Sequence, residues 1–96
     1  MDAARLNKLR YRAWHRGFRE ADLILGPFAD SHVPSFSESQ LDAFEHLLEA
    51  PDQDLYGWII GREPTPPEYQ GEVMDMVRSF RFSAHGALLD SLKGSG

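Results

Sequence analysis

The sequence predicts a compact all-α bundle of five helices, and three observations carry that expectation. Apolar residues recur at spacings of three and four through successive stretches of the chain, as on the buried stripe of a helix. Helix-start chemistry, a small polar residue followed three positions later by Gln or Glu, stands at Ser37–Gln40 and Thr65–Glu68. No stretch between turn residues alternates apolar with polar as a half-buried strand would, and no internal repeat emerges. At 96 residues and 42% apolar content the chain is sized for one core rather than two, and it is too apolar for a disordered segment. One domain is expected over residues 1–86, with 87–96 a frayed tail.

The first helix is expected from Ala3 to His15, with Leu6, Leu9 and Ala13 as its buried stripe. Arg5, Lys8, Arg12, Arg16 and Arg19 make a second, basic stripe. Tyr11 and Trp14 lie beside these stripes, and core packing is expected for at least one of them. Gly17 interrupts the pattern. A second helix follows, with Phe18, Ala21, Leu25 and Phe28 inward and Ile24 widening the apolar face. Gly26-Pro27 is expected to end or kink it, because proline disfavours helical geometry in the residue before it. The stretch from Ala29 to Phe36 reads as a loop, with Asp30, Ser31 and Pro34 as breakers.

The third helix has the clearest start signal: Ser37 as N-cap, Gln40 completing a capping box, and Phe36 with Leu41 placed for a hydrophobic staple. Leu41, Phe44, Leu47 and Leu48 supply its buried face, and Pro51 limits its far end. Asp52 is expected to cap a short fourth helix, in which Leu55, Trp58 and Ile59 face inward and Gly61 closes the C-terminus in the left-handed conformation. Tyr56 and Trp58 can each belong to the core or to an interface. The fifth helix is expected to open at Thr65, with Pro66 in the first position and Glu68 completing a second capping box. Tyr69, Val73, Met76, Val77 and Phe80 form its apolar face, which runs to about Phe82. Ala87 to Lys93 holds a short further helical pattern ahead of Gly94-Ser95-Gly96.

Charge is unevenly divided. Residues 1–19 hold six basic side chains against Asp2, whereas residues 20–96 hold four basic and fourteen acidic ones, for a net charge of −5 overall. A basic edge therefore belongs to an acidic body, which favours docking to a surface of complementary potential. The absence of cysteine excludes disulfides, thiolate metal sites and cysteine nucleophiles. Met1 to Arg19 lacks the apolar core of a secretory signal, and the apolar runs are too short to span a bilayer, so a cytoplasmic location is expected.

The most informative short stretch is Arg16-Gly17-Phe18-Arg19-Glu20. A glycine between helical segments lets the backbone bend and another surface approach closely. Arg16 and Glu20, four apart, would be neighbours on a continuous helix, in an ion pair contributing about 0.3–0.5 kcal/mol. Enzyme chemistry finds little footing. His46 follows Asp42 by four residues, with Glu45 and Glu49 nearby, but a metal site needs further ligands, and a surface histidine is the simpler reading. His15 and Glu20 could exchange a proton, yet no nucleophile or phosphate-binding glycine loop gives them a task. The alternatives to a protein-binding role are a small nucleic-acid-binding helical module using the basic N-terminal helix and a metal or enzyme site around His46.

Three blocks carry a family resemblance: Arg16-Gly17-x-x-Glu20 followed by Asp22-Leu23, then Phe44-Glu45-x-Leu47-Leu48-Glu49, then Asp52-x-Asp54-Leu55-Tyr56-x-Trp58. In this order and spacing, over about Arg5 to Phe82, the chain resembles the small flavinylation factors of succinate dehydrogenase, called SdhE in bacteria and succinate dehydrogenase assembly factor 2 in mitochondria. The resemblance implies a five-helix fold. It implies a non-enzymatic, chaperone-like factor that binds the flavoprotein subunit of succinate dehydrogenase, and in some bacteria of fumarate reductase. Such a factor promotes covalent attachment of FAD to a histidine of that subunit, whose own groups form the bond. FAD is then the client's cofactor and not one of this chain. Arg16, Gly17 and Glu20 carry over by motif as the client contact, with Arg12, Arg19 and Asp22 beside them. Ala21 departs from the larger apolar residue expected after the motif glutamate.

Overall fold

A computed structural model describes residues 3–81, in which five α-helices and two short 3₁₀ turns surround one core and no strand occurs. Helix α1 spans Ala3–Trp14, α2 Arg19–His32, α3 Glu38–Leu48 and α4 Asp52–Ile59, and α5 covers 72–81. The expectations for the tail after residue 81 lie outside the described residues.

The apolar stripes read from the sequence converge. Leu9 and Ala13 of α1, Ala21, Leu25 and Phe28 of α2, Leu41, Phe44, Leu47 and Leu48 of α3, Leu55, Trp58 and Ile59 of α4, and Val73 and Val77 of α5 are all buried. Phe28 is the hub. Its ring centroid lies 5.6 Å from Phe44, 5.7 Å from Phe80 and 6.0 Å from Phe36, within the range of favourable aromatic pairing. Ala21 is fully buried, so its small side chain marks a close approach in the core rather than a gap at the surface.

Helix α2 does not end at Gly26-Pro27, one of the two outcomes expected there. The helix runs through Pro27 to His32, and Val33–Ser35 continues it as a 3₁₀ turn where a loop was expected. Two features allow this. Gly26 has no Cβ, which relieves much of the clash that proline makes with the residue before it. The lost N–H would have bonded the carbonyl of Leu23, a residue on the solvent side, where water can serve as donor. Burial of Phe28 and Val33, each worth about 1.5–3 kcal/mol, with Ala29 between them, offsets the roughly 3 kcal/mol that an interior proline costs.

The start of α3 is as expected: the Ser37 hydroxyl accepts from the Gln40 N–H, and the Gln40 side chain accepts from the Ser37 N–H at 2.8 Å. Phe36 and Leu41, the staple pair, are both buried. Gly61 sits at φ +79 behind α4 as expected. Asp52 differs. Pro51 is the N-cap of α4 and makes no side-chain cap bond, so Asp52 stands one residue inside the helix with its carboxylate turned elsewhere.

The fifth helix also starts later than expected. Pro67 disfavours helical geometry at Pro66, which is held extended at ψ 151 and cannot serve as a first helical residue. The chain makes only a 3₁₀ turn, Pro67–Tyr69, before Gly71 at φ +148, a conformation open to glycine, and α5 then begins at 72. Tyr69 is therefore in the turn and not on the helix face. It stacks on His46 at 4.6 Å and packs against Trp58 at 4.7 Å, which fastens the turn to α3 and α4. The Thr65 hydroxyl caps nothing and has no partner among the described residues.

Candidate functional site

The turn between α1 and α2 is built by residues 15–18. Helix α1 ends at Trp14, and Gly17 at φ +86 lets the chain turn before α2 begins at Arg19, a left-handed conformation that glycine adopts without steric cost. Nothing lies within 4 Å of where a Gly17 Cβ would be, so the glycine stands at an open apex. Phe18 is extended, and its ring turns inward against Tyr56 at 5.2 Å. Asp22, in the first turn of α2, accepts from the Arg16 N–H at 3.0 Å, closing the turn from the other side. Glu20 and Asp22 also complement the positive end of α2. Arg19 and Glu20 point to solvent.

Arg16 does not pair with Glu20. Its side chain, only 7% exposed, crosses to the α3–α4 turn, where it donates to the Leu48 carbonyl at 2.5 Å and the Ala50 carbonyl at 2.6 Å and pairs with Asp52 at 2.8 Å. Leu48 ends α3 and leaves carbonyls without intrahelical donors, which the guanidinium satisfies. The Asp52 carboxylate expected to cap α4 is spent on this pair. Arg16 Nε alone lacks a partner. Arg16 thus acts as a strut that holds Gly17, Arg19 and Glu20 against the body of the fold. Sequence spacing could not show this, since partners 32 to 36 residues away leave no local signal.

The basic stripe is also largely spent internally. Arg5 donates to Asp42 at 2.6 Å and lies near Glu38 and Glu45, and these carboxylates, Asp42 foremost, hold its guanidinium still more firmly protonated. Arg10 binds Asp30 at 2.9 Å. Among the described residues this leaves Lys8, Arg12 and Arg19 without an acidic partner on the α1–α2 side, few cations for a backbone-tracking nucleic-acid surface. Tyr11, Arg12, His15, Arg16 and Asp52 line a cleft of about 270 Å³ beside the turn.

Both N-terminal aromatics depart from the expectation of core packing. Tyr11 is 65% exposed and stacks on His15, while Trp14 is 37% exposed, lies over Gly26 and donates to Asp30 at 3.2 Å. The reason is register: Tyr11 lies midway between Leu9 and Ala13, on the side of α1 opposite the core. Trp58 is buried and Tyr56 half-buried against Phe18. His46 is exposed and engaged with Tyr69, and no group of three or more metal-ligating side chains is assembled among the described residues. No helix among them is long and apolar enough to cross a membrane.

Comparison with known proteins adds to this geometry. Residues 7–81 match the family described as flavinator of succinate dehydrogenase. The chain is 41% identical over 75 residues to succinate dehydrogenase assembly factor 2, mitochondrial, of Danio rerio, covering 76% of this chain and 48% of that one. It is 39% identical over 66 residues to the FAD assembly factor SdhE of Acetobacter pasteurianus, covering 69% and 61%. It is 47% identical over 75 residues to the assembly factor 2 of Meyerozyma guilliermondii, covering 74% and 56%. The chain thus spans about half the length of the relatives it matches. A match over residues 7–81, which takes in the Gly17 turn, the Arg16 strut, α2 to α5 and α1 from residue 7 on, places the chain in the family of succinate dehydrogenase flavinators.

Proposed function

We propose that this chain binds the flavoprotein subunit of succinate dehydrogenase and promotes covalent attachment of FAD to it, the flavin being the partner's cofactor. The observation that carries this reading is the open Gly17 apex, with Arg19 and Glu20 beside it, braced from behind by Arg16. A glycine with empty space before it admits close backbone approach, and a braced turn loses little freedom on binding. In this reading Gly17, Arg19 and Glu20 touch the partner, Arg12 flanks them, and Arg16 and Asp22 position the turn. The chain offers binding energy and the partner's own groups form the flavin bond. The chain favours the partner conformation in which they are aligned, which requires it to bind that conformation more tightly.

The same proposal extends to the flavoprotein subunit of fumarate reductase and to a cytoplasmic setting. The relatives that match include a bacterial factor and mitochondrial ones. Fractionation of cells carrying the chain with its partner decides the compartment.

The test is covalent flavin fluorescence of the flavoprotein subunit in a denaturing gel, from cells with the chain, without it, and with Gly17→Arg. Fluorescence that falls without the chain and is not restored by folded Gly17→Arg supports the proposal. Fluorescence unchanged throughout overturns it.

A further inference from the structure

We infer that the outer face of the α1–α2 hairpin, with Tyr11, Trp14 and Leu23 as apolar anchors beside the unpaired cations Arg12 and Arg19, docks on an acid-rimmed apolar patch of the flavoprotein partner. This rests on the proposed function and extends the contact beyond the Gly17 turn.

Single exposed apolar side chains are ordinary on soluble proteins and need no explanation. Here their placement does. Tyr11 at 65%, Trp14 at 37% and Leu23 at 59% are the large apolar residues left exposed among those described, and all three lie on one helical hairpin. Trp14 lies across Gly26 of α2, so that a Cβ at Gly26 would run into its indole. Leu23 is one turn before Gly26, and Arg19 one turn before Leu23. Tyr11 is one turn before Trp14. A strip running from Tyr11 across Trp14 to Leu23 and Arg19 is the result.

The anchors are also held in place. The indole N–H of Trp14 is tied to Asp30 at 3.2 Å, and the Tyr11 ring stacks on His15 with centroids 4.0 Å apart. Side chains already ordered lose little entropy on binding, and Trp, Tyr and Arg are the residues that most often dominate interface energies.

Charge specifies the partner. Arg5, Arg10 and Arg16 are neutralised within the fold, and Asp30 is matched by Arg10. Asp22 is half-buried and accepts from the Arg16 backbone, which leaves Glu20 as the exposed acid of the turn. Lys8, Arg12 and Arg19 therefore give this face a positive surplus on a chain of net charge −5. A second copy would bring the same positive face against itself, whereas carboxylates around an apolar patch would complement it.

The experiment titrates purified flavoprotein subunit lacking covalent flavin with the wild-type chain and with folded variants, confirmed by melting curves. Tyr11→Ser/Leu23→Ser removes anchors that are more than half exposed, so the core is untouched, and it is expected to weaken Kd by about 30- to 100-fold. Arg12→Glu/Arg19→Glu is expected to slow association about tenfold or more at low salt, with the difference fading near 0.5 M salt. Glu63→Ser/Arg78→Ser, on exposed positions away from the hairpin, is expected to bind as wild type. The inference is overturned if the Tyr11/Leu23 variant binds within about threefold of wild type, well below the effect of a lost hot spot. It is equally overturned if that variant changes only self-association in sedimentation. If the wild-type chain does not bind the flavoprotein at all, the proposed function fails and this inference with it.

Discussion

Replacing Arg16 with methionine keeps an apolar stem in place and deletes the guanidinium, which isolates what the strut contributes to stability. Three contacts are lost, two to the Leu48 and Ala50 carbonyls and one to Asp52. A charge-assisted hydrogen bond is worth about 1.5–3 kcal/mol when one partner is removed. Asp52 is a third exposed and rehydrates once orphaned, so its share is discounted to at most about 1 kcal/mol. Water also reaches part of the turn, and the lower end of the range applies, about 3–4 kcal/mol in all. Against the roughly 5–14 kcal/mol expected for a domain of this length, that is a large fraction. Thermal melting followed by circular dichroism at 222 nm should show Tm lowered by about 12–32 °C for Arg16→Met. Asp52→Asn, which leaves the two carbonyl contacts intact, should cost no more than about 1 kcal/mol, or 4–8 °C. A melting temperature for Arg16→Met within about 3 °C of wild type, less than 1 kcal/mol, would refute the strut.

Three further outcomes are expected. Gly17→Ala meets no neighbour but forces an L side chain to φ +86, so it should destabilise by about 1–2 kcal/mol in denaturant titration; no change would mean the turn relaxes freely. Pro27→Ala restores an N–H and removes an interior helix proline. After the entropy gained by the unfolded chain is subtracted, a net stabilisation of about 1–2 kcal/mol should appear as a higher Tm, and a lower Tm would show that the proline fits α2 without cost. Gly26→Leu should push the Trp14 indole off α2 and break its bond to Asp30, giving red-shifted tryptophan emission. The overpacking penalty of about 1–3 kcal/mol exceeds the helix-propensity gain of about 1 kcal/mol, so melting should also fall.

Much of the fold was legible because its determinants are local. The capping box at Ser37–Gln40, the glycine turn at Gly17, the glycine stop at Gly61, and the apolar stripes of α1, α3 and α4 each depend on residues within one or two turns. The misplaced boundaries have equally specific causes. At Gly26-Pro27 the local rule against a helix lost to the burial of Phe28, Ala29 and Val33, which no window on the sequence can weigh. At Thr65 the capping signal was read past a second local rule, the restriction that Pro67 places on Pro66.

The sequence by itself determined the helical class, the buried stripes of α1, α3 and α4, the turn at Gly17 and, through three spaced blocks, the family; each follows from local spacing or from the identity of single residues. Only the tertiary structure decided which charges are free. Arg5, Arg10 and Arg16 look alike on the basic stripe, but their carboxylate and carbonyl partners stand 20 to 37 residues away, and only folding brings them within hydrogen-bond reach. That pairing makes Arg16 a brace for the turn, and among the described residues it leaves Lys8, Arg12 and Arg19 without an acidic partner beside Tyr11, Trp14 and Leu23.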